Sequence, residues 1–245
     1  MIGALTALTV IKLLADSGLP GTVVVLIGLL AAVPVCMALG FTIERIAYRP
    51  LRNAPRLAPL ITAIGVSIVL QQLAMIFWGR NYHAFPPILP TTGREIGGAH
   101  ITDVQIVIIL LAVAIMAGLM LLVNRTRLGR AMRATAENPQ IAGLMGVNIN
   151  VIISATFLIG SALAAVAGVM VSANYSIAHY HMGFILGLKA FTAAVLGGIG
   201  NLPGAMLGGV LLGLIESLGA GYIGDLTGGF LGSHYQDVFA FFVLI

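Results

Sequence analysis

Val104-Gln-Ile-Val-Ile-Ile-Leu-Leu-Ala-Val-Ala-Ile-Met-Ala-Gly-Leu-Met-Leu-Leu-Val123 contains no charged residue, and Gln105 is its only strongly polar member. A hydrocarbon core about 30 Å thick is crossed by about 20 helical residues, each rising about 1.5 Å, so this run is a membrane span. Three more runs, 21–42, 58–78 and 151–173, have the same length and character and are closed by polar or charged residues. Runs 184–199 and 205–222 are shorter or richer in glycine and are separated only by Gly200-Asn-Leu-Pro-Gly204. They predict either a tight helical hairpin or a re-entrant piece. Runs 2–15 and 238–245 read as partial spans. The fold class is therefore all-α, a polytopic transmembrane helical bundle of about eight apolar segments, the first and last partial, forming a single domain over 1–245.

Composition agrees. The chain is 59% hydrophobic and 8% charged, with a mean hydropathy of +1.06, against about 25% charged residues in soluble domains. A signal peptide is the rival reading of the first run, but Lys12 lies inside it and no basic segment precedes it. The net charge of +4 is concentrated in two short loops between apolar runs, which reads as topology and not as a nucleic-acid surface. Arg45, Arg49, Arg52 and Arg56 lie in one, and Arg125, Arg127, Arg130 and Arg133 in the other. Lysine and arginine are retained on the cytoplasmic side, so both loops are expected inside. Loops 79–103 and 174–183, poor in arginine and lysine, are expected outside.

The second inside loop has its own start and stop signals. Asn138 suits a helix N-cap, with Pro139 at the first helical position and Gly146 at the left-handed C-terminal position. The helix between them has roughly two turns and needs support from outside itself. Ile141, Leu144 and Met145 share one face, which predicts docking either in a partner's groove or on the chain's own cytoplasmic ends.

The segment 130–146 resembles the cytoplasmic coupling loop of ABC-importer permeases, in the form found in branched-chain amino acid permeases of the LivH type. Three further stretches carry the resemblance: Glu44-Arg-Ile-Ala-Tyr-Arg-Pro-Leu-Arg52, Leu60-Ile-Thr-Ala-Ile-Gly-Val-Ser67, and Lys189-Ala-Phe-Thr-Ala-Ala-Val-Leu-Gly-Gly-Ile-Gly-Asn-Leu-Pro-Gly-Ala205. It implies a permease of a bacterial-type inner membrane, importing branched-chain amino acids and truncated here at both ends. Its partners would be a second permease subunit in a hetero-dimer, two cytoplasmic ATPase subunits, an external substrate-binding protein and the lipid bilayer. Loop 124–150, with Arg130, Arg133, Glu137, Asn138, Pro139, Ile141, Ala142, Leu144, Met145 and Gly146, would couple to the ATPases, and the external loop 79–103, stiffened by prolines 86, 87 and 90, would meet the binding protein. The chain has no Gly-x-x-x-x-Gly-Lys-[Ser/Thr] motif to cradle phosphates, so ATP hydrolysis is expected on separate subunits. No catalytic residue, cofactor or metal is expected. Related permeases carry urea or short amides, which leaves those cargoes open beside a channel or a secondary transporter.

Ionisable residues inside spans are costly and mark function or pairing. Lys189 is either an interfacial anchor or a partner of Glu216, which lies deeper. Ser67, Gln71, Gln72, Lys189, Thr192 and Glu216 are the candidate translocation path. Ser154, Thr156 and Ser161 either line that path or bond neighbouring helices, the second being the commoner use of such residues. Glycines at 200, 204 and 208, and at 209 and 213, permit close helix contact, within the subunit or between subunits. His179 and His181 stand two apart with no cysteine or acid nearby and read as loop residues. The string from Gly219 to Gly224 matches a dinucleotide-binding pattern but follows a transmembrane helix, not a strand.

Overall fold

In hydrocarbon every backbone N–H and C=O must be satisfied within the protein, which selects helices for these apolar runs. The computed structural model describes residues 1–14, 20–55, 57–86, 93–96 and 99–223. Arg56, prolines 87 and 90 and the last apolar run, 238–245, lie outside them. The described helices are α1 (Ile2–Leu13), α2 (Gly21–Ile43), α3 (Ala58–Trp78), α4 (Asp103–Arg125), α5 (Arg127–Glu137), α6 (Pro139–Leu144), α7 (Ile149–Tyr175), α8 (Met182–Leu196) and α9 (Leu202–Leu218). A π-helical turn (Glu44–Tyr48) and a 3₁₀ turn (Arg49–Asn53) continue α2. Among the described residues five helical stretches are long and apolar enough to cross a membrane: Gly21–Arg52, Ala58–Trp78, Asp103–Arg125, Ile149–Tyr175 and Leu202–Tyr222. Ile2–Leu13 and Met182–Leu196 are apolar but shorter.

Two compact units divide the chain, one of residues 1–114 and 121–182, the other of 115–120 and 183 onward. The core of the first is the packing of α1, α2 and α7 on one another. Lipid supplies no hydrophobic force between helices, so close approach of small residues must hold them. Gly3 lies against Ala165 and Cys36, Gly28 against Ala7 and Ile11, and Gly40 against Ser161 and Phe157. At Gly40 there is no room for a β-carbon beside Ser161. By contrast α4 buries no residue and α3 buries only Gln71 and Ala74, so most of their apolar surface is left uncovered by this chain.

Polar contacts fix the two ends of this unit. Strand β1 (His83–Ala84) pairs antiparallel with β4 (Ile177–Ala178), His83 opposite Ala178. Below it the Trp78 indole donates to the Thr9 hydroxyl at 2.8 Å. At the other end Arg52, in the 3₁₀ turn, meets Asn150 on α7. Both pairings join loops that the arginine count puts on one side. A second antiparallel ribbon, β2 (Gly93–Ile96) with β3 (Ala99–Thr102), leads into α4, whose N-terminus carries a reciprocal cap between Thr102 and Gln105. The external loop is thus partly strand, which the all-α reading did not include.

In the second unit α8 and α9 approach closely at their shared turn. A β-carbon at Gly204 would collide with the Gly197 carbonyl, and one at Gly208 with that of Ala193. These glycines serve packing inside the subunit, whereas Gly213 has open space around it. The turn has left-handed glycines at 198 and 200, and the Asn201 side chain caps α9 by accepting from Gly204 N–H. With 15 residues, α8 rises about 22 Å, short of a full crossing. The two arms form a helical hairpin whose first arm is shorter than a span, so the hairpin and the re-entrant reading are both compatible with it. The string beginning at Gly219 starts as a π-helical turn (Gly219–Ile223) extending α9, not as a strand-to-helix loop.

Gly40→Val is expected to lower the thermal midpoint of the detergent-solubilised protein, since overpacking costs about 1–3 kcal/mol. Gly65→Ala, on the open surface of α3, should leave it unchanged. Scanning fluorimetry of the two variants makes the comparison, and equal midpoints would deny the close α2–α7 contact.

Candidate functional site

The loop between α4 and α7 is mostly helical, a correction to its reading as a loop with one short helix. Thr126 caps α5 by accepting from Gly129 N–H at 3.0 Å, and Arg133 reaches back to the Asn124 side chain at 3.2 Å. The eleven residues of α5 segregate a basic face from an apolar one. Counting its arginines for topology concealed that pattern. Arg130 and Glu137 are exposed.

The short helix α6 is capped as its sequence predicts. The Asn138 side chain accepts from the N–H groups of Gln140 and Ile141, at 3.0 and 3.1 Å, and Pro139 opens the helix. At the other end Gly146 has φ +84°, and Val147 N–H returns to the Ala142 carbonyl at 3.1 Å. That closing bond, with a left-handed glycine before it, is how a helix satisfies its last carbonyls. Met145 sits at the C-cap, one residue beyond the helix. Ala142 is buried, facing the protein's interior. Ile141, Leu144 and Met145 turn outward and are 58, 88 and 81% exposed. Among the described residues, none of the chain's own cytoplasmic ends covers this face.

Of the candidate path residues, the structure joins some and not others. Gln71, buried in α3, donates from its amide to the Ser67 hydroxyl at 3.2 Å, while Gln72 is exposed. In the second unit Lys189 Nζ lies 2.5 Å from Glu216 Oε1, the side chains being 19 and 12% exposed. Lys189 is thus paired and not a free interfacial anchor. Thr192, one turn along α8, is buried and returns its hydroxyl to the Leu188 carbonyl. Thr156 likewise bonds its own helix, at the Ile152 carbonyl, and Ser161 is the residue closest to Gly40.

Sequence reasoning missed one constellation. Glu44 is 1% exposed. Its Oε1 receives Arg52 Nη2 at 2.6 Å, and its Oε2 receives the Ser154 hydroxyl at 2.8 Å. Arg52 also donates to the Asn150 side chain. The available signal was an acid standing alone at the head of an arginine-rich segment, two turns before Arg52. At the opposite end, His179 stacks on Tyr82 with ring centroids 4.3 Å apart. Among the described residues no three His, Cys, Asp or Glu side chains stand together as a metal site would require.

The sequence profile of a family described as the permease component of the branched-chain amino acid transport system matches residues 1–245. The high-affinity branched-chain amino acid transport system permease protein BraD of Pseudomonas aeruginosa is 46% identical over 250 residues, covering 100% of this chain and 79% of its own length. Its counterpart LivH of Escherichia coli is 41% identical over 252 residues, with the same coverage of each chain. The xylose transport system permease protein XylH of Escherichia coli is 29% identical over 115 residues, 44% of this chain and 29% of its own. No solved structure matches.

Removing one member of a buried ion pair leaves its partner's charge without that compensation, at about 3 kcal/mol or more, whereas replacing both members is far better tolerated. Lys189→Met and Glu216→Leu are each expected to destabilise the detergent-solubilised protein more than the double variant does. Thermal midpoints of all four proteins check this, and additive losses would mean that the pair does not interact.

Proposed function

The chain belongs to the family of branched-chain amino acid transport permeases, and from that premise we propose that it is the membrane subunit of an ATP-driven importer carrying branched-chain amino acids across a bacterial inner membrane. A transport subunit of this kind is not itself an enzyme. Hydrolysis falls to two cytoplasmic ATPase subunits, a second permease completes a hetero-dimer, and a substrate-binding protein delivers cargo from outside. The observation that carries this reading is the outward apolar face of α6. An alanine-anchored, doubly capped helix that presents Ile141, Leu144 and Met145 to water is an unpartnered surface of the kind that fills a hydrophobic groove.

Within this reading loop 124–150 carries force. Arg130, Arg133 and Glu137 surround α6 with charge and steer the partner, while the caps at Asn138, Pro139 and Gly146 keep the helix stiff enough to push. Loop 79–103 forms part of the external docking surface. Polar groups set in apolar helices are candidates to meet a zwitterion, each unit taken by itself: Ser67 with Gln71 in the first, and Lys189, Thr192 and Glu216 in the second. Gln72, on the exposed side of α3, contributes least. Lys189 and Glu216 together present both charges that an amino acid's carboxylate and ammonium would seek.

Ile141→Asp with Leu144→Asp places two charges on the docking face without touching Ala142 or the caps. The permease with this double substitution is expected to stay folded yet lose its ATPase on co-purification in detergent, which the native loop retains. ATPase retained equally by both proteins would remove α6 from the interface. ATPase retained by neither would end the ATP-driven reading and turn attention to a channel or a secondary transporter, with Glu216 the first residue to titrate.

A further inference from the structure

A carboxylate taken out of water is costly unless its lone pairs are filled, and Glu44 has each oxygen filled from a different element. Arg52, on the turn after α2, takes one, and Ser154, on α7, takes the other. Arg52 extends the bridge to Asn150, in the first turn of α7. The carboxylate thus joins the inner end of α2 to the beginning of α7. Tyr48, in the same π-helical turn as Glu44, adds a ring contact with Phe157 of α7 at 5.1 Å. π-Helical turns of this kind are frequent at functional sites.

The beginning of α7 is also the part of the core nearest to α6 along the chain. Only four residues, 145–148, separate the two helices. A methyl group added at Gly143 of α6 would stand 3.4 Å from Cδ1 of Ile149, the first residue of α7. Asn148 caps α7 through Val151 N–H. A contiguous chain therefore runs from α6 through Ile149 and Asn150 to Arg52, and from Arg52 to Glu44 in the π-helical turn that continues α2.

We propose that Glu44 is a positioning residue of the transport cycle, which through Arg52 and Ser154 makes α2 move with α7 when the ATPases displace α6. Without it, a push on α6 would shift the first turn of α7 and leave α2 behind. α2 packs on both α1 and α7, so the clamp turns a local displacement into a rearrangement of the whole three-helix core. The proposal rests on α6 being the ATPase contact.

The test uses the permease assembled with its ATPase and binding-protein partners in proteoliposomes, measuring leucine uptake and ATP hydrolysis in the same vesicles. Glu44→Gln and Ser154→Ala are expected to keep the ATPase bound and hydrolysing, while leucine moved per ATP falls about tenfold, within the usual range of coupling between sites. Ser154→Thr keeps the hydroxyl and should restore the native ratio. A merely structural brace would reduce uptake and hydrolysis together, in proportion to folded complex, and that result would overturn the proposal. So would an unchanged ratio in both variants. If Glu44→Gln does not fold, Ser154→Ala, which removes a single hydrogen bond, decides alone. A wild-type permease that holds no ATPase would sink the importer reading itself, an outcome distinct from a bound, active ATPase with a normal ratio in the variants.

Discussion

Hydrocarbon as a solvent is the constraint on which everything else depends. It forbids unsatisfied backbone, which makes the spans helical, and it removes the hydrophobic force that would press those helices together in water. What remains is surface fit and hydrogen bonding. The first is visible where Gly3, Gly28 and Gly40 let α1, α2 and α7 touch. The second is confined to a few places, and each acts as a fastener because so little else resists sliding. The same logic recurs between α8 and α9, where Gly204 and Gly208 set the approach near the turn and one ion pair bridges the arms beyond it.

Where the fasteners sit decides what can move. In the first unit they cluster at its two ends: Trp78 with Thr9 and the β1–β4 pair at one, Glu44 with Arg52 and Ser154 at the other. Between them α2 and α7 meet through small side chains with little polar interlock. The polar fasteners of this unit thus lie at its ends, and close packing of small residues lies between them.

Much of this was legible in the sequence, and the boundary of legibility is physical. The four long spans could be read because a run of apolar residues has one meaning at that length. The caps of α6 could be read because Asn138, Pro139 and Gly146 act on backbone only a few residues away. The ion pair between Lys189 and Glu216 could not be derived, because it spans 27 residues and depends on how the glycine turn sets one helix against the other. Glu44 and Ser154 are 110 residues apart, and nothing local to either names its partner. The helix α5 was hidden for another reason: its arginines answered a question about topology, and the period in which they recur went unused.

The two buried charge clusters invite opposite expectations about function. Lys189 and Glu216 form a short ion pair whose side chains keep 19 and 12% of their surface open. Glu44 is enclosed, one oxygen engaged by Arg52, which also reaches Asn150, and the other by Ser154 on α7. Opening it would strand a carboxylate in a dry site, a cost no passing substrate would offset. The first cluster is thus the more open of the two and the second the more enclosed.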